Sequence, residues 1–286
     1  MMQSVIPDRV STSFNLRSWF AGLASLLGLA AGGAAQAFPA SMPAPRFRLA
    51  PVTYYFEDPE VRTLLAAALA GDLPAAQAAV ARGASPNAEG PANNPYNHIG
   101  LLHYAIAAGS AIGIRTLVAV GADVEYVVQG SAGRPLLFAE TLGKPDLLSL
   151  MLDLKPVPEL KPENRRYMLT HALMQGQPRC LAVALAHGVP VDAPGENGGT
   201  ILTDAMDTQD YALAKWLIEQ GASVLTDSYD LSFAWTVQYH LSKWKPDSPP
   251  WKQVKEIQAM AIERGAVFPA MSPKERRAAR KAAADG

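Results

Sequence analysis

Histidine and cysteine are the residues of this chain whose types could support metal or acid–base chemistry. The sequence holds five histidines and one cysteine. It contains no H-E-x-x-H motif, no Cys/His cluster and no pair of histidines at helical spacing, and these are the patterns that a zinc site requires. His171 and His187 are expected on different helices with no carboxylate near them in sequence, and His98 and His240 are expected at the surface or rim. We therefore predict neither a metal site nor a bound cofactor.

Nucleophilic catalysis has equally little support. The segment Gly130-Ser131-Ala132-Gly133 lacks the G-x-S-x-G spacing of a nucleophile elbow, and no glycine-rich loop runs into Lys-Ser or Lys-Thr. Cys180 stands in an apolar stretch that is typical of a buried small hydrophobe, with a redox thiol as the alternative. The chain is therefore predicted not to be an enzyme. The remote alternative is a site in a C-terminal cluster that lacks an acid–base pair and consists of Trp235, His240, Trp244 and Trp251.

Composition excludes several classes of protein. The chain has 286 residues, of which 49% are hydrophobic and 18% charged, so it is too apolar and too weakly charged for a disordered polymer. A single cysteine excludes a disulfide scaffold. A net charge of −1 gives no general electrostatic reason to bind nucleic acid. The composition favours a packed protein without a nucleic-acid partner.

Residues 1–37 have the pattern of a secretory signal peptide. A weakly basic start precedes an uncharged apolar run from Trp19 to Ala35, and Ala35-Gln36-Ala37 provides the small-x-small pattern of a signal peptidase site. The run is interrupted by glycines and is shorter than the ~20 apolar residues of a membrane span, so a retained anchor is the less favoured alternative. Cleavage after Ala37 would make the protein periplasmic or secreted.

The pattern Leu-x-x-Ala recurs along the chain with a period of about 33 residues, which lies in the range of repeat proteins. The steps between successive leucines stay close to that period, and the pairs are Leu64/Ala67, Leu102/Ala105, Leu136/Ala139, Leu169/Ala172, Leu202/Ala205 and Leu231/Ala234. Four residues after the alanines come Gly71, Gly109, Gly143, Gly176, Gln209 and Gln238, where a short helix is expected to end in a left-handed turn. In most units a second glycine follows twelve residues later, at Gly83, Gly121, Gly188 and Gly221. Each unit is thus predicted to be a helix pair that buries its apolar faces by stacking on its neighbours.

The second unit resembles an ankyrin repeat. Its residues Leu101-Leu102-His103-Tyr104-Ala105-Ile106-Ala107-Ala108-Gly109, closing with Gly121-Ala122-Asp123-Val124, are similar to the family's Thr-Pro-Leu-His-x-Ala-Ala-x-x-Gly, which closes with Gly-Ala-Asp-x-Asn. The resemblance implies an all-α ankyrin-repeat solenoid of five to six repeats with short β-turn fingers over residues 58–271. The expected repeats are 62–94, 100–132, 134–166, 167–199, 200–228 and 229–268. It also implies that His103 hydrogen-bonds backbone and orients a finger.

Three units depart from the family pattern. The first connection carries about five extra residues around Asn93–Asn97. The third unit has Lys155-Pro156-Val157-Pro158 in place of its closing Gly-Ala. In the sixth unit the closing Gly265 comes late, after an insert that contains Trp244 and Trp251. We therefore expect a regular stack over five units followed by an irregular sixth.

The resemblance also implies where a partner would bind. Ankyrin repeats present a concave groove, made of first helices and finger tips, to another protein, and their variable contact positions come just before the first glycine of each unit. In this sequence those positions hold Ala107, Ala108, Thr141, Leu142, Met174, Gln175, Asp207 and Thr208. Finger tips would add Tyr96, Asn97, Glu196 and Asn197, with Tyr96 and Tyr126 as aromatic anchors. The groove as a whole, more than any single residue, is the predicted protein-binding site.

Two segments flank the repeats. Residues 38–57 are rich in proline and are predicted to form an extended tether. Residues 272–286 are basic, and Ser272-Pro273-Lys274-Glu275 has the form of a capping box that begins a short helix. The tail is predicted to be solvated. The alternative is weak docking onto anionic lipid, at ~1 kcal/mol per basic residue, or onto an acidic partner.

The function expected from this layout is protein binding outside the cytoplasm without catalysis. Exported ankyrin-repeat proteins of bacteria have a similar layout, and some act as immunity partners of secreted antibacterial effectors. An immunity protein that binds and neutralises such an effector is therefore the leading prediction. Support of a periplasmic enzyme, such as one that handles peroxide, is the second hypothesis, and an enzyme with its site in the sixth unit is the third.

Overall fold

The computed structural model describes residues 42–43, 47–91, 94, 98–129, 132–195, 198–228 and 231–284. The helices within these ranges are α1 Val52–Tyr55, α2 Pro59–Ala70, α3 Leu73–Ala81, α4 Leu101–Ala107, α5 Ala111–Ala119, α6 Pro135–Thr141, α7 Pro145–Leu154, α8 Pro162–Met174, α9 Pro178–Ala186, α10 Ile201–Asp207, α11 Tyr211–Glu219, α12 Phe233–Lys243, α13 Pro249–Glu263 and α14 Pro273–Ala284. The strands are β1 Glu89–Gly90, β2 Ile99–Gly100, β3 Asp227–Ser228 and β4 Leu231–Ser232, paired β1–β2 and β3–β4. The prediction of a mostly helical chain is confirmed.

Helices α2 to α13 form six consecutive pairs, each with a first and a second helix. The first helices α4, α6, α8, α10 and α12 pack on one another in chain order, and so do the second helices α3, α5, α7 and α9. The repeated leucine and alanine side chains of the first five units are buried between these elements: Leu64, Ala67, Leu102, Ala105, Leu136, Ala139, Leu169, Ala172, Leu202 and Ala205. The predicted Leu-x-x-Ala face is therefore the core of a stack of helix pairs.

Substitution of Ala172 can test how closely the helix pairs pack. It has no exposed surface, and it lies on α8 between the third and fifth helix pairs. Ala172→Leu is expected to lower the free energy of unfolding by ~1–3 kcal/mol, because the added methylenes have no space in a close-packed core. Ala186→Leu, at the exposed end of α9 in the same unit, is the control and is expected to change it by less than about 0.5 kcal/mol. Denaturant unfolding measures both, and equal midpoints for the two variants would contradict the assignment.

Left-handed residues end the first helices at the predicted positions. Gly71, Gly109, Gly143 and Gly176 have φ between 58° and 75°. In the fifth pair the same position is occupied by Gln209, with a φ of 61°. A side chain in this region costs roughly 1 kcal/mol because its Cβ crowds the following carbonyl oxygen. The turn is thus imposed by the packing of the pair even where glycine is missing.

Gln209→Gly is expected to raise the free energy of unfolding by about 0.5 kcal/mol. Glycine adopts the observed φ without strain, although the greater freedom of the unfolded chain offsets part of the gain. Gln220→Gly, at the end of α11, is the matched control, because Gln220 has a φ of −73° and gains no such relief. Thermal unfolding is expected to move in opposite directions for the two variants, and a destabilised Gln209→Gly would contradict the explanation.

The first helix of the sixth unit begins later in the chain than the repeat pattern predicted. This helix, α12, begins at Phe233 after Ser232, whose hydroxyl accepts a hydrogen bond from the Trp235 amide at 3.1 Å. Leu231 lies in β4 instead and is 40% exposed. The buried pair equivalent to Leu202 and Ala205 is therefore Ala234 and Val237, about one repeat period further on. The predicted Leu231/Ala234 pair was wrong by three residues because an apolar strand residue precedes the helix. Gln238, the predicted turn residue, lies inside α12 for the same reason.

The C-terminal helix α14 starts as its sequence predicted. The Ser272 amide donates to the Glu275 carboxylate at 2.7 Å, and the Glu275 amide donates to the Ser272 hydroxyl at 3.3 Å, which is a capping box. None of its residues is buried, and Arg276 forms a two-point ion pair with Asp227 of β3. Contact of this helix with lipid stays a prediction. Every helix within the described ranges is too short or too polar to span a bilayer.

Candidate functional site

The residue two positions after the repeat leucine occupies an equivalent place on successive first helices. From the second unit to the fifth, these residues are Tyr104, Phe138, His171 and Asp204. We refer to the surface along these four positions as the first-helix face. Two of its members are aromatic and two are polar, so its two halves have different chemistry.

The aromatic half is covered by the chain's own N-terminal segment. Tyr55 of α1 packs edge-on against Tyr104 with ring centroids 6.0 Å apart, and Phe47 packs edge-on against Phe138 at 5.3 Å. Tyr104 and Phe138 are both buried as a result. The predicted tether over residues 38–57 is therefore wrong for its described part, which lies on the repeats. Proline-rich composition indicates an extended chain, but it does not indicate whether that chain is free in solvent or packs on the repeats.

The segment is anchored at the turn between α8 and α9. The Met42 amide donates to the Gly176 carbonyl oxygen at 2.8 Å, and the Gln177 side-chain amide donates to the Met42 carbonyl oxygen at 3.0 Å. A methyl group built on Gly176 would overlap the Met42 side chain. Glycine at this turn therefore serves both the left-handed backbone and the close approach of Met42.

The polar half of the face is open along α8 and α10. Tyr167, His171 and Met174 are spaced i, i+4 and i+7 on α8, so they form one stripe of that helix. Tyr167 and Met174 are exposed, the latter by 60%. On α10 the neighbouring stripe is acidic, with half-buried Asp204 and exposed Asp207. Burial first, and the nearby Asp207 carboxylate second, raise the pKa of Asp204 above its ordinary value.

A buried carboxyl group lies beneath the junction of the two halves. Glu140 of α6 has no exposed surface, and its Oε2 lies 2.7 Å from Nδ1 of His171. Burial raises the pKa of Glu140 well above its ordinary value, and burial lowers the pKa of His171 to about 4. The two atoms are within hydrogen-bond distance, so the pair joins α6 to α8 beneath the face. Burial, with the Glu140 charge second, also raises the pKa of the fully buried Cys180 to about 12, which fits its predicted role as a small hydrophobe.

His103 has the role that the resemblance implied. It is completely buried, and its Nδ1 accepts a hydrogen bond from the Gly100 amide of β2 at 3.3 Å. Its ring packs on Phe138 with centroids 5.0 Å apart. Burial lowers its pKa to about 4, while backbone groups of Gly133 and Ala132 oppose that shift to a smaller degree. The neutral imidazole thus links β2 to α6, the first helix of the third unit.

The prediction that His98 and His240 are surface or rim residues was wrong, because both are buried. Nδ1 of His240 lies 2.9 Å from the Tyr211 hydroxyl, which also accepts a hydrogen bond from the Trp244 indole at 2.8 Å. Burial lowers the pKa of His240. This group links the fifth and sixth units. Nδ1 of His240 is therefore engaged in a hydrogen bond between these two units.

Ser149, His187 and Asp153 come together between α7 and α9. The Ser149 hydroxyl lies 2.8 Å from Nε2 of His187, and Nδ1 of His187 lies 3.8 Å from an Asp153 oxygen. This order of groups is that of a serine hydrolase, but the serine sits inside a helix, where the following amides already donate to helical carbonyls. Those amides cannot stabilise an oxyanion. We therefore assign the Ser149–His187 hydrogen bond a structural role, in which it connects the third and fourth units.

The structure places the predicted contact residues in different environments. Ala108, Tyr126, Met174, Asp207 and Thr208 are exposed, and Ala107, Thr141 and Gln175 are half-buried. Leu142 is buried in the core between α6 and α7, so its prediction as a contact residue was wrong. Tyr96, Asn97, Glu196 and Asn197 lie outside the described residues. The clearest missed residues are Phe47 and Phe138, and the signal was an aromatic side chain at a position that is polar in later units.

Comparison with known proteins finds likeness in structure alone. No family model matches the sequence, and no curated protein matches it. The human ASB11 ankyrin repeat domain is 22% identical, with a TM-score of 0.46, over 73% of this chain and 86% of that domain. The ankyrin repeat domain of Bcl-3, a member of the IkappaB protein family, is 20% identical, with a TM-score of 0.56, over 74% of this chain and 90% of that domain. At these identities the likeness is one of fold.

Proposed function

We propose that this chain, which folds as an all-α ankyrin-repeat solenoid, is a non-catalytic module that binds another protein on the open half of its first-helix face. The observation that carries the proposal is the exposed stripe of Tyr167 and Met174 beside the acidic stripe of α10. Aromatic and methionine side chains are enriched in protein interfaces, because they bury a large area at low entropic cost. Met174 is 60% exposed, so a partner that covers it would remove a large part of its apolar surface from water.

The charges of this surface indicate the chemistry of the partner. Asp204 and Asp207 lie one turn apart on α10, and their repulsion raises the pKa of Asp204 in addition to burial. A lysine or arginine from a partner would relieve that repulsion and form charge-assisted hydrogen bonds. We therefore expect a partner surface with a basic residue beside an apolar one.

Met174→Lys is expected to weaken partner capture by about tenfold or more, since it removes an apolar contact and places a charge in the interface. The experiment is affinity capture from the producing cells with the mature chain, quantified for each protein retained. Ile262→Lys is the matched control, because Ile262 is also an exposed apolar residue, 53% exposed, but belongs to α13. A partner retained by the control and lost by Met174→Lys supports the proposal. Equal capture by both variants of every protein retained would contradict it.

The proposal assigns no catalytic step to the described residues. Among them, no group of three or more histidine, cysteine, aspartate or glutamate side chains could hold a metal ion. The serine beside His187 lies inside a helix, and His240 is engaged with Tyr211. The proposed action on the partner is therefore to cover one of its surfaces.

The proposed location is the periplasm or the cell exterior, and the proposed role is that of an immunity protein. Support for the location comes from the export pattern of residues 1–37, which lie outside the described residues. Covering the active surface of a secreted effector requires binding without chemistry, which suits this module. Deletion of the gene is expected to sensitise cells to that effector. Unchanged sensitivity to every effector tested, together with increased sensitivity to peroxide, would favour the support of a periplasmic enzyme instead.

A further inference from the structure

The contrast between the halves of the first-helix face requires an explanation. Equivalent positions hold Tyr104 and Phe138 in the second and third units but His171 and Asp204 in the fourth and fifth. Each of the two aromatic residues is covered by an aromatic ring of the N-terminal segment, Tyr104 by Tyr55 and Phe138 by Phe47. The aromatic strip is therefore a surface suited to apolar side chains of another segment, and in this structure Phe47 occupies its Phe138 end while Tyr55 of α1 occupies its Tyr104 end.

The occupant is held at separated points. Met42 makes backbone and side-chain contacts at the turn that contains Gly176, while Phe47 packs on Phe138 and is still 39% exposed. Further along, the Ala50 amide lies 3.4 Å from the Tyr55 hydroxyl. None of the described residues among 42–51 is fully buried. The covalent connection to the repeats raises the local concentration of the segment and so contributes to its stability on the face.

We propose that the N-terminal segment, through Met42 and Phe47, is an exchangeable occupant of the first-helix face, and that the partner inserts a segment of the same chemistry in its place. That chemistry is a methionine-sized and an aromatic side chain five residues apart in sequence, the first seated at Gly176 and the second on Phe138. This inference rests on the proposed function, because Gly176 directly follows the helix end that carries Met174 and Gln175. The partner would thus bind the open stripe and displace the segment in one continuous contact.

A tethered occupant reduces the apparent affinity for any competing segment. The protein binds the competitor in the fraction of molecules whose own segment has left the face, so the apparent dissociation constant rises as that fraction falls. Weakening the tethered segment by a single side chain is expected to increase the fraction and tighten binding of the competitor. This dependence separates an exchangeable occupant from a permanent part of the fold.

The test adds a fluorescent synthetic peptide of residues 38–51 to the full mature chain and follows its anisotropy. Phe47→Ala in the chain is expected to tighten peptide binding at least tenfold over the unaltered chain. Arg48→Ala, the neighbouring exposed residue, is the matched control and is expected to behave as the unaltered chain does. A peptide that itself carries Phe47→Ala is expected not to bind.

A second pair of variants locates the peptide on the face. Adding Gly176→Ala to Phe47→Ala is expected to abolish peptide binding, because the new methyl group occupies the site of the Met42 side chain. Gly109→Ala is the control, with a similar φ of 71° and open space around its Cβ. The proposal is overturned if Gly176→Ala and Gly109→Ala, each added to Phe47→Ala, both abolish peptide binding. It is also overturned if Phe47→Ala alone never binds the peptide. No partner enters this assay, so a failed capture experiment with Met174→Lys would reject the proposed function and leave peptide exchange standing.

Discussion

Lys155→Met is expected to lower the free energy of unfolding by about 3 kcal/mol, because it leaves the buried Glu125 carboxylate without its cation. The Glu125 side chain is 1% exposed, and its Oε2 lies 2.7 Å from the Lys155 ammonium group. The same ammonium group lies 2.9 Å from Asp123. Methionine keeps most of the apolar stem, so the loss reports on charge.

The pKa of Glu125 shows how strongly the carboxylate depends on its neighbours. Burial alone would raise it, but hydrogen bonds from the side chains of Lys155 and Asn164 and from the Lys161 amide lower it overall. A lowered carboxyl pKa contributes stability that is present above the unfolded value of 4.5 and is lost as the pH falls through the folded value. The cost of Lys155→Met should therefore shrink below about pH 4.5, where protonation removes the stranded charge.

Lys161→Met is the matched control, since Lys161 is exposed and reaches Glu125 through its backbone amide, which the substitution keeps. It is expected to cost less than about 1 kcal/mol. Urea unfolding at pH 7 and pH 4 measures all three chains. Equal losses for the two variants at pH 7 would show that Glu125 does not need the Lys155 charge.

This ion network also explains an irregularity of the third unit. The other predicted units close with a glycine, whereas Lys155 has an extended backbone with a φ of −135° and needs no left-handed turn. Its side chain reaches back to the second unit at Asp123 and Glu125. The repeat pattern predicted that the closing glycine is missing here. It did not predict the ion pairs of Lys155, because Asp123 and Glu125 belong to the preceding repeat unit and are far from Lys155 in the chain.

The repeat was predictable because its signal is local and recurs. A leucine and an alanine three residues apart need one buried helical face, and the turn after them needs a left-handed residue. The left-handed turn at Gln209 was predicted from its position in the repeat, although the residue there is not glycine. The sixth unit lost its phase because Leu231, an apolar residue of β4, imitated the repeat leucine three residues early.

The candidate site was less predictable because its contacts join distant parts of the chain. Phe47 precedes the first repeat and Phe138 belongs to the third, and the segment that carries Phe47 has no periodicity to indicate its direction. His240 has the same difficulty, since its hydroxyl partner Tyr211 belongs to the preceding unit. Leu142 shows the reverse case, because a family contact position was occupied by a residue that is apolar enough to enter the core.

His103→Asn is expected to make the protein less sensitive to acid. Burial lowers the pKa of His103 from 6.5 to about 4, so the folded state resists a proton that the unfolded chain accepts. Stability from this site is complete above pH 6.5 and is lost as the pH falls toward 4. At about 1.4 kcal/mol per pKa unit, the loss is about 3 kcal/mol. Asparagine can still accept the Gly100 hydrogen bond but does not titrate.

The measurement is the free energy of unfolding of both chains at pH 7.5 and pH 4. At pH 7.5 the variant is expected to be less stable, since it loses the ring contact with Phe138. At pH 4 the difference should shrink or reverse, moving by about 3 kcal/mol in favour of the variant. Ile106→Val, an equally buried change on the same helix, is the control, because its cost of about 1 kcal/mol involves no proton and should be the same at both pH values. Parallel pH curves for His103→Asn and the unaltered chain would mean that another group carries the acid sensitivity, with His171 the next to test because burial lowers its pKa to about 4 as well.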